Sequence, residues 1–246
     1  QEAALAAFLE NQCAGLRPPG GPPLSVLTHW DLGHAIEWRA GLATVATNFG
    51  LYVGEDAFLD PWRFLAAADP AAAEGILVRR GIDFVLMDGD RNRAAMGAAL
   101  GLPLMTDPAL WRQTMAARLL RDGSGQAALP VPGFLALVAV ATNASGRTTE
   151  LYRRVEGAVL EAPGARSLQV VVIVQGEDGT KVRWMAGDTR PPGATGAPRV
   201  RVPYVSPEGL LEATSVISLE VFVDGSRSDF LVPASSVELG QVLTLP

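Results

Sequence analysis

The chain has 246 residues, 48% of them hydrophobic, a formal charge of −6 and a pI near 5.0. That is enough apolar material for one large or two ordinary globular domains. The acidic balance, with basic residues scattered and no basic stripe, excludes nucleic acid as a partner. One cysteine, Cys13, excludes an internal disulfide and a cysteine-rich zinc site but leaves the cellular compartment open.

The N-terminal "QEAALAAFLENQCAGL" lacks a basic start and a cleavage site. It reads as a short amphipathic helix over residues 2–14 ending at Gly15, not as a signal peptide. "RPPGGPP" then forbids regular structure and leads into a strand, "LSVLTHW". Three Asp-Pro pairs follow, Asp60-Pro61, Asp69-Pro70 and Asp107-Pro108. In each, Asp can cap free N–H groups while Pro supplies the preset φ of a first helical position, so three helices are predicted. The second, "PAAAEGILVRR", stops at Gly81 and runs into an apolar strand, "IDFVLMD". In the third, Trp111, Met115 and Leu119 stand four apart, which puts them on one face, buried or meeting a ligand. The longest apolar run, "FLALVAVA" at 134–141, is far short of the roughly 18 to 20 residues a membrane-crossing helix needs.

Beyond residue 150 the texture changes to β-rich segments, "SLQVVVIVQ", "TKVRWMAG", "PRVRVPYV", "TSVISLEVFVDG" and "VLTLP", separated by Gly, Pro and Asp-Gly turns. The predicted class is therefore a mixed α/β central domain over residues 1–158 followed by a small all-β sandwich or barrel over 159–246, with the boundary between 155 and 165.

Both histidines fall in one stretch, "THWDLGHAIEWRAGLATVATN" at 28–48. His29, Asp31 and His34 are suitable metal ligands, but a strand and the turn after it point them in different directions, so no metal site is predicted. A serine hydrolase would need a nucleophile elbow, and the chain has no G-x-S-x-G. Asp88 and Asp90 in "DGD" follow an apolar strand, where sugar-nucleotide transferases place metal-binding carboxylates; Asp-Gly is equally a turn signal. "NAS" at 143–145 has the form of a glycosylation acceptor and reads as an exposed turn. The plain alternative for the histidine stretch is a core edge, with Trp30 and Trp38 buried and Asp31 capping a turn before Gly33.

"HWDLG" at 29–33 resembles the WWDYG signature of the oligosaccharyltransferase catalytic subunit, and "HAIEWRAGLATVATN" keeps the order and spacing of the "hxIxxxxGRPTVADN"-like stretch that follows it. "AAAEGILVRRGIDFVLMD", "MAARLLRDGSG", "TELYRRVEGAVLEA" and "RVRVPYVS" are similar, in collinear order, to later family segments. The resemblance implies the soluble, extracytoplasmic C-terminal domain of a bacterial or archaeal member, which in the family follows a long multi-helix membrane region. The acidic metal-binding and catalytic residues lie in that region, so the resemblance implies no catalytic residue and no cofactor in this chain. It implies a divalent metal, Mn or Mg, in the membrane part, and no sugar transfer by this chain alone. Its partners would be an acceptor polypeptide and, through the membrane region, a lipid-linked oligosaccharide.

By position, Trp30 and Asp31 match the signature's second Trp and its Asp, which in the family contact the Ser or Thr two residues after the acceptor asparagine. A carboxylate accepts from a hydroxyl, and an indole or imidazole N–H can donate to it. His29 stands where the family has its first Trp and Leu32 where it has Tyr. The substrate-binding set is thus His29, Trp30 and Asp31, completed by Trp111 and Met115 on the helix at the place of the family's second pocket element. Two other readings stand beside it: a non-catalytic glycan- or protein-binding module, or a free-standing sugar-nucleotide transferase using Asp88 and Asp90.

Overall fold

The computed structural model describes residues 23–46, 54–88, 93–120, 130–142, 148–176, 179–207 and 215–246, together with Ala7, Leu9, Glu10 and Cys13. The four isolated positions are helical, in agreement with the predicted N-terminal helix. The rest of that helix, the loop up to residue 22, Asp90 and Asn143–Ser145 lie outside the described residues. So do the side chains of Trp30, Thr142 and Ser215.

The chain divides into two compact units, Gln1–Leu120 with Thr142–Leu151, and Arg121–Ala141 with Tyr152–Pro246. A single cut at 158 does not describe this division, because residues 121–141 belong with the C-terminal unit and 142–151 return to the first. The class matches the sequence expectation: mixed α/β first, β-rich second.

In the first unit β1 (Ser25–Leu27) lies between β2 (Ala43–Thr44) and β3 (Phe84–Asp88), parallel to both. The first half of β5 (Thr148–Arg154) follows on the far side of β3. All five residues of β3 are buried, the pattern of a parallel strand covered on both faces. Register is set by a polar clasp at the strand starts. The Ser25 N–H donates to Asp83 Oδ2 at 2.8 Å, and the Asp83 N–H donates to Ser25 Oγ at 3.0 Å. Val26 then faces Phe84 and Leu27 faces Val85, so the carboxyl ends of the two strands stand side by side.

Helices α1 (Glu55–Ala66) and α2 (Pro70–Arg80) connect β2 to β3. At α2 the prediction holds: the Asp69 carboxylate accepts from the Ala71 N–H at 3.0 Å, and Gly81 ends the helix at φ +60°. At Asp60-Pro61 it fails. Pro61 lies inside α1, and Asp60 is no cap but a fully buried carboxylate. It accepts from Arg80 Nε at 2.7 Å, Arg79 at 3.0 Å and Arg63 at 3.3 Å. Three charge-assisted bonds outweigh one cap bond, so tertiary pairing decides the residue's role. Burial alone would raise its pKa, but hydrogen bonds from Arg80, Arg79 and Arg63 win and hold the carboxyl below its ordinary range.

The helix predicted after Asp107 is two helices, α4 (Pro108–Gln113) and α5 (Met115–Leu119), preceded by α3 (Arg93–Leu100). Asp107 caps α4 as expected. Thr114 breaks the run at ψ 155°: its hydroxyl donates to the Trp111 carbonyl at 2.8 Å and accepts from the Ala117 N–H at 3.2 Å. Trp111, Met115 and Leu119 therefore do not share one helical face. The Met115 N–H donates to the Ala67 carbonyl at 2.8 Å, which ties the start of α5 to the end of α1.

The second unit is built from β4 (Leu135–Thr142), the end of β5, β6 (Ala158–Glu161), β7 (Ser167–Gln175), β8 (Lys181–Thr189), β9 (Arg199–Val202), β10 (Ser215–Val223), β11 (Ser226–Ser228), α6 (Ala234–Leu239) and β12 (Val242–Thr244). An antiparallel sheet runs β11-β10-β7-β8, and a three-stranded sheet runs β12-β6-β9. Buried Trp184 packs edge-on to Tyr204 at 5.7 Å. Its indole donates to the Val131 carbonyl at 3.0 Å, and the Tyr204 hydroxyl accepts from the Leu137 N–H at 3.0 Å. Both polar ends of these rings are thus satisfied inside the core.

Candidate functional site

HWDLG occupies the turn that leaves the carboxyl end of β1. The strand predicted over "LSVLTHW" stops at Leu27, and a 3-10 turn, Trp30–Leu32, begins where it was expected to continue. The Leu32 N–H donates to the His29 carbonyl at 3.1 Å, closing that turn. One α-helical turn, Gly33–Ala35, and a π-helical turn, Ile36–Ala40, carry the chain on until Gly41, at φ +63°, stops it. The alternation of a strand is therefore replaced by helical spacing, which drives Leu32 and Ile36 inward together at 2% and 1% exposure. The Ala43 N–H donates to the Leu24 carbonyl at 2.8 Å and Thr44 Oγ1 to Glu37 Oε1 at 2.6 Å, returning the segment to the sheet at β2. In parallel α/β sheets, ligand sites form outside the carboxyl ends of the strands. Here those ends deliver the His29–Gly33 turn from β1 and Asp88 from β3.

Within the turn Asp31 is half-buried. His29 is buried at 3% exposure, with its ring against Trp62 of α1, centroids 5.4 Å apart and planes tilted by 56°. Trp38, which a core-edge reading would bury, is 89% exposed on the π-helical turn.

Of the predicted partners further along, Trp111 is half-buried with the Arg93 guanidinium 4.7 Å from its ring centroid. Arg93 is itself fixed by donating Nε to the Leu104 carbonyl at 2.7 Å. Met115 has no exposed surface and packs at the start of α5. Residues of both predicted halves touch the region of α1: Trp62 meets the His29 ring, and Ala67, just beyond the helix, accepts from the Met115 N–H. Sequence reasoning missed the full extent of that helix. Phe58, Trp62 and Leu65 have helical apolar spacing, but reading Asp60-Pro61 as a helix start cut the pattern in two.

Asp88 is buried at 3% exposure and accepts from the Thr149 hydroxyl at 3.2 Å, a structural setting for the carboxylate. Among the described residues no group of three His, Cys, Asp or Glu could hold a metal ion. The Cys13 thiol is pushed up to about 11 by burial and by the negative charge of Asp83, which leaves it a poor nucleophile. The second unit carries a groove of about 580 Å³ lined by Glu161, Arg166, Arg190 and Pro/Gly-rich turns. Arg190 pairs with Asp188 at 2.6 Å, Glu161 pairs with Arg199 at 3.0 Å, and the Arg166 backbone N–H donates to Asp224 Oδ1 at 2.9 Å.

No protein-family profile matches the chain, and no curated protein sequence is detectably similar to it. Its fold is known from solved structures. The Archaeoglobus fulgidus oligosaccharyltransferase in complex with Zn and sulfate has a TM-score of 0.74 at 14% identity, over 100% of this chain and 46% of the archaeal one. The same enzyme tethered through a disulfide to an acceptor peptide containing the NVT sequon has 0.76 at 14%, over 99% and 43%. The archaeal enzyme with an inhibitory peptide and a dolichol-phosphate has 0.76 at 14%, over 100% and 42%. The chain thus has an oligosaccharyltransferase domain fold along its whole length, as "HWDLG" and its collinear neighbours suggested, and it spans less than half the length of these structures.

Proposed function

We propose that this chain is the acceptor-recognition domain of a membrane-bound, oligosaccharyltransferase-like glycosyltransferase, exposed on the extracytoplasmic side. In this reading Asp31 accepts a hydrogen bond from the Ser or Thr hydroxyl of the acceptor, and Trp30 and the wall formed by His29 and Trp111 limit water around it. The domain holds the acceptor so that its asparagine amide enters a site built by other parts of the full-length enzyme, which would carry the metal and the lipid-linked glycan. Fixing a reactant in this way contributes to rate through orientation, without a reacting group of its own. The observation that carries the reading is the position of the HWDLG turn. It sits at the carboxyl end of β1 in a fold shared over the whole chain with an enzyme whose structures hold acceptor and inhibitory peptides. No helix among the described residues is long and apolar enough to cross a membrane, so attachment is assigned to other parts of the enzyme.

The test is Asp31→Ala in the full-length transferase, assayed with Asn-x-Thr peptides. Loss of one hydrogen bond to a charged group, about 1.5–3 kcal/mol, predicts a roughly ten- to hundredfold fall in kcat/KM. A peptide with Ala in place of Thr should be equally poor with both enzymes. Unchanged kcat/KM in Asp31→Ala would remove the proposed contact.

A further inference from the structure

The acceptor reading gives the second unit no task, yet that unit holds the groove of about 580 Å³, between the turn joining β6 to β7 and the loop joining β8 to β9. Small-molecule sites have volumes of roughly 300–1,000 Å³. Arg166 and Arg190 both line the groove. The register Ser167↔Thr189 sets these two residues opposite one another one step beyond the paired strands, and the Arg190 N–H donates to the Arg166 carbonyl at 2.8 Å. Opposed residues of an antiparallel pair share a face, here the one that carries buried Leu168 and Trp184 further along the strands. Like charges so placed repel. A carboxylate closes on only one of them: Arg190 Nη2 donates to Asp188 Oδ2 at 2.6 Å, two residues back on the same face. The Arg166 guanidinium has no ion pair or hydrogen bond among the described residues. Glu161, also in the lining, is engaged by Arg199 through Nε at 3.2 Å and Nη2 at 3.0 Å. Asp224 lies in the field of Arg166, but its Oδ1 already accepts from the Arg166 N–H, the Ser167 N–H and the Ser167 hydroxyl.

The walls are preformed. Pro163, Pro191 and Pro192 fix backbone φ in both loops. Each loop also closes on itself: the Ala165 N–H donates to the Ala162 carbonyl at 3.2 Å, and the Ala194 N–H to the Pro191 carbonyl at 3.1 Å. At Gly164 and Gly193, with φ of +80° and +84°, a Cβ would meet nothing within 4 Å, so the backbone there faces open space. Little ordering is left to offset binding. We infer that this groove is a binding site for a small organic acid: Arg166 and Arg190 grip one carboxylate, and the proline and alanine walls take the body of the molecule. Guanidinium forks match a carboxylate with two parallel hydrogen bonds. The charge balance selects a carboxylate over a phosphate, because one unpaired arginine offsets one negative charge whereas a phosphoryl group carries about −1.5 to −2 near neutral pH. The site does not depend on the acceptor-recognition reading.

Calorimetric titration of the full chain near neutral pH and at low salt tests this, with glucuronate, glucose, acetate and inorganic phosphate as probes. Glucuronate should bind roughly tenfold or more tighter than glucose, which has the ring without the charge. Acetate, with no body to lay on the walls, should bind more weakly than glucuronate. Arg166→Gln should weaken glucuronate about tenfold, the low end for a charge-assisted hydrogen bond because Arg166 is exposed. Asp188→Asn frees Arg190 from its competitor and keeps an oxygen for the Arg199 N–H, so it should tighten glucuronate about threefold, the scale of an exposed ion pair. Thermal unfolding checks that each variant is folded, and if Asp188→Asn is not recovered, Arg166→Gln decides. Glucose matching glucuronate, Arg166→Gln binding it as tightly as wild type, or no binding of glucuronate at all overturns the site. Phosphate binding more tightly than glucuronate overturns the assignment to a carboxylate.

Discussion

Gly133→Ala is expected to lower the stability of the second unit by about 3 kcal/mol, the upper end of the cost of overpacking. A Cβ at this position would overlap the carbonyl oxygen of Arg201 and stand 2.7 Å from its carbonyl carbon. That neighbour is backbone of β9, held in register against β6 from Val202↔Ala158 to Arg199↔Glu161, and cannot turn aside as a side chain would. Gly157 closes the same contact from the other side. Its φ of +73° disfavours any L side chain, and a Cβ there would overlap the Gly133 carbonyl oxygen. Over the junction Arg201 donates Nε to the Glu156 carbonyl and lays its guanidinium 5.7 Å from the centre of the Phe134 ring. Thermal unfolding of Gly133→Ala should show a midpoint lower by roughly 6–12 °C. Pro132→Ala next to it, which adds no atom to the contact, serves as the control for a general loop effect.

What was legible in the sequence is what local chemistry decides. "SLQVVVIVQ" is a strand over Ser167–Gln175, and Asp69 and Asp107 are caps, because alternation and Asx capping need no distant partner. The failures share a cause. Asp60 has the same local sequence as the other two caps, but arginines 19 and 20 residues away recruit it. "LSVLTHW" has strand composition, yet the chain turns helical at Trp30 once Leu27 reaches the end of the sheet. Trp111 and Met115 have helical spacing, and the Thr114 side chain, competing for backbone hydrogen bonds, breaks it. For the candidate site, the sequence carries HWDLG itself, and the structure places that pentapeptide in a turn at the carboxyl end of β1. The packing of Trp62 was not legible, because it depends on a ring contact with His29, 33 positions away in the chain.

Asp60→Ala is expected to destabilise the first unit by about 3 kcal/mol, the low end of the range for breaking a buried ion pair. The low end applies because Arg63, Arg79 and Arg80 each keep part of their surface in water and can be hydrated once the carboxylate is gone, whereas Asp60 has no exposed surface at all. The pH dependence follows from the depressed carboxyl pKa. A carboxylate that binds its proton less readily folded than unfolded stabilises the fold fully above the unfolded value of about 3.9, and that stability is lost as pH falls through the lower, folded value. Wild type should therefore exceed Asp60→Asn in urea midpoint by a constant margin from pH 8 down to about 5, and the two should converge as the pH is lowered below about 4. A margin that persisted undiminished into strong acid would mean that the carboxylate's charge contributes nothing.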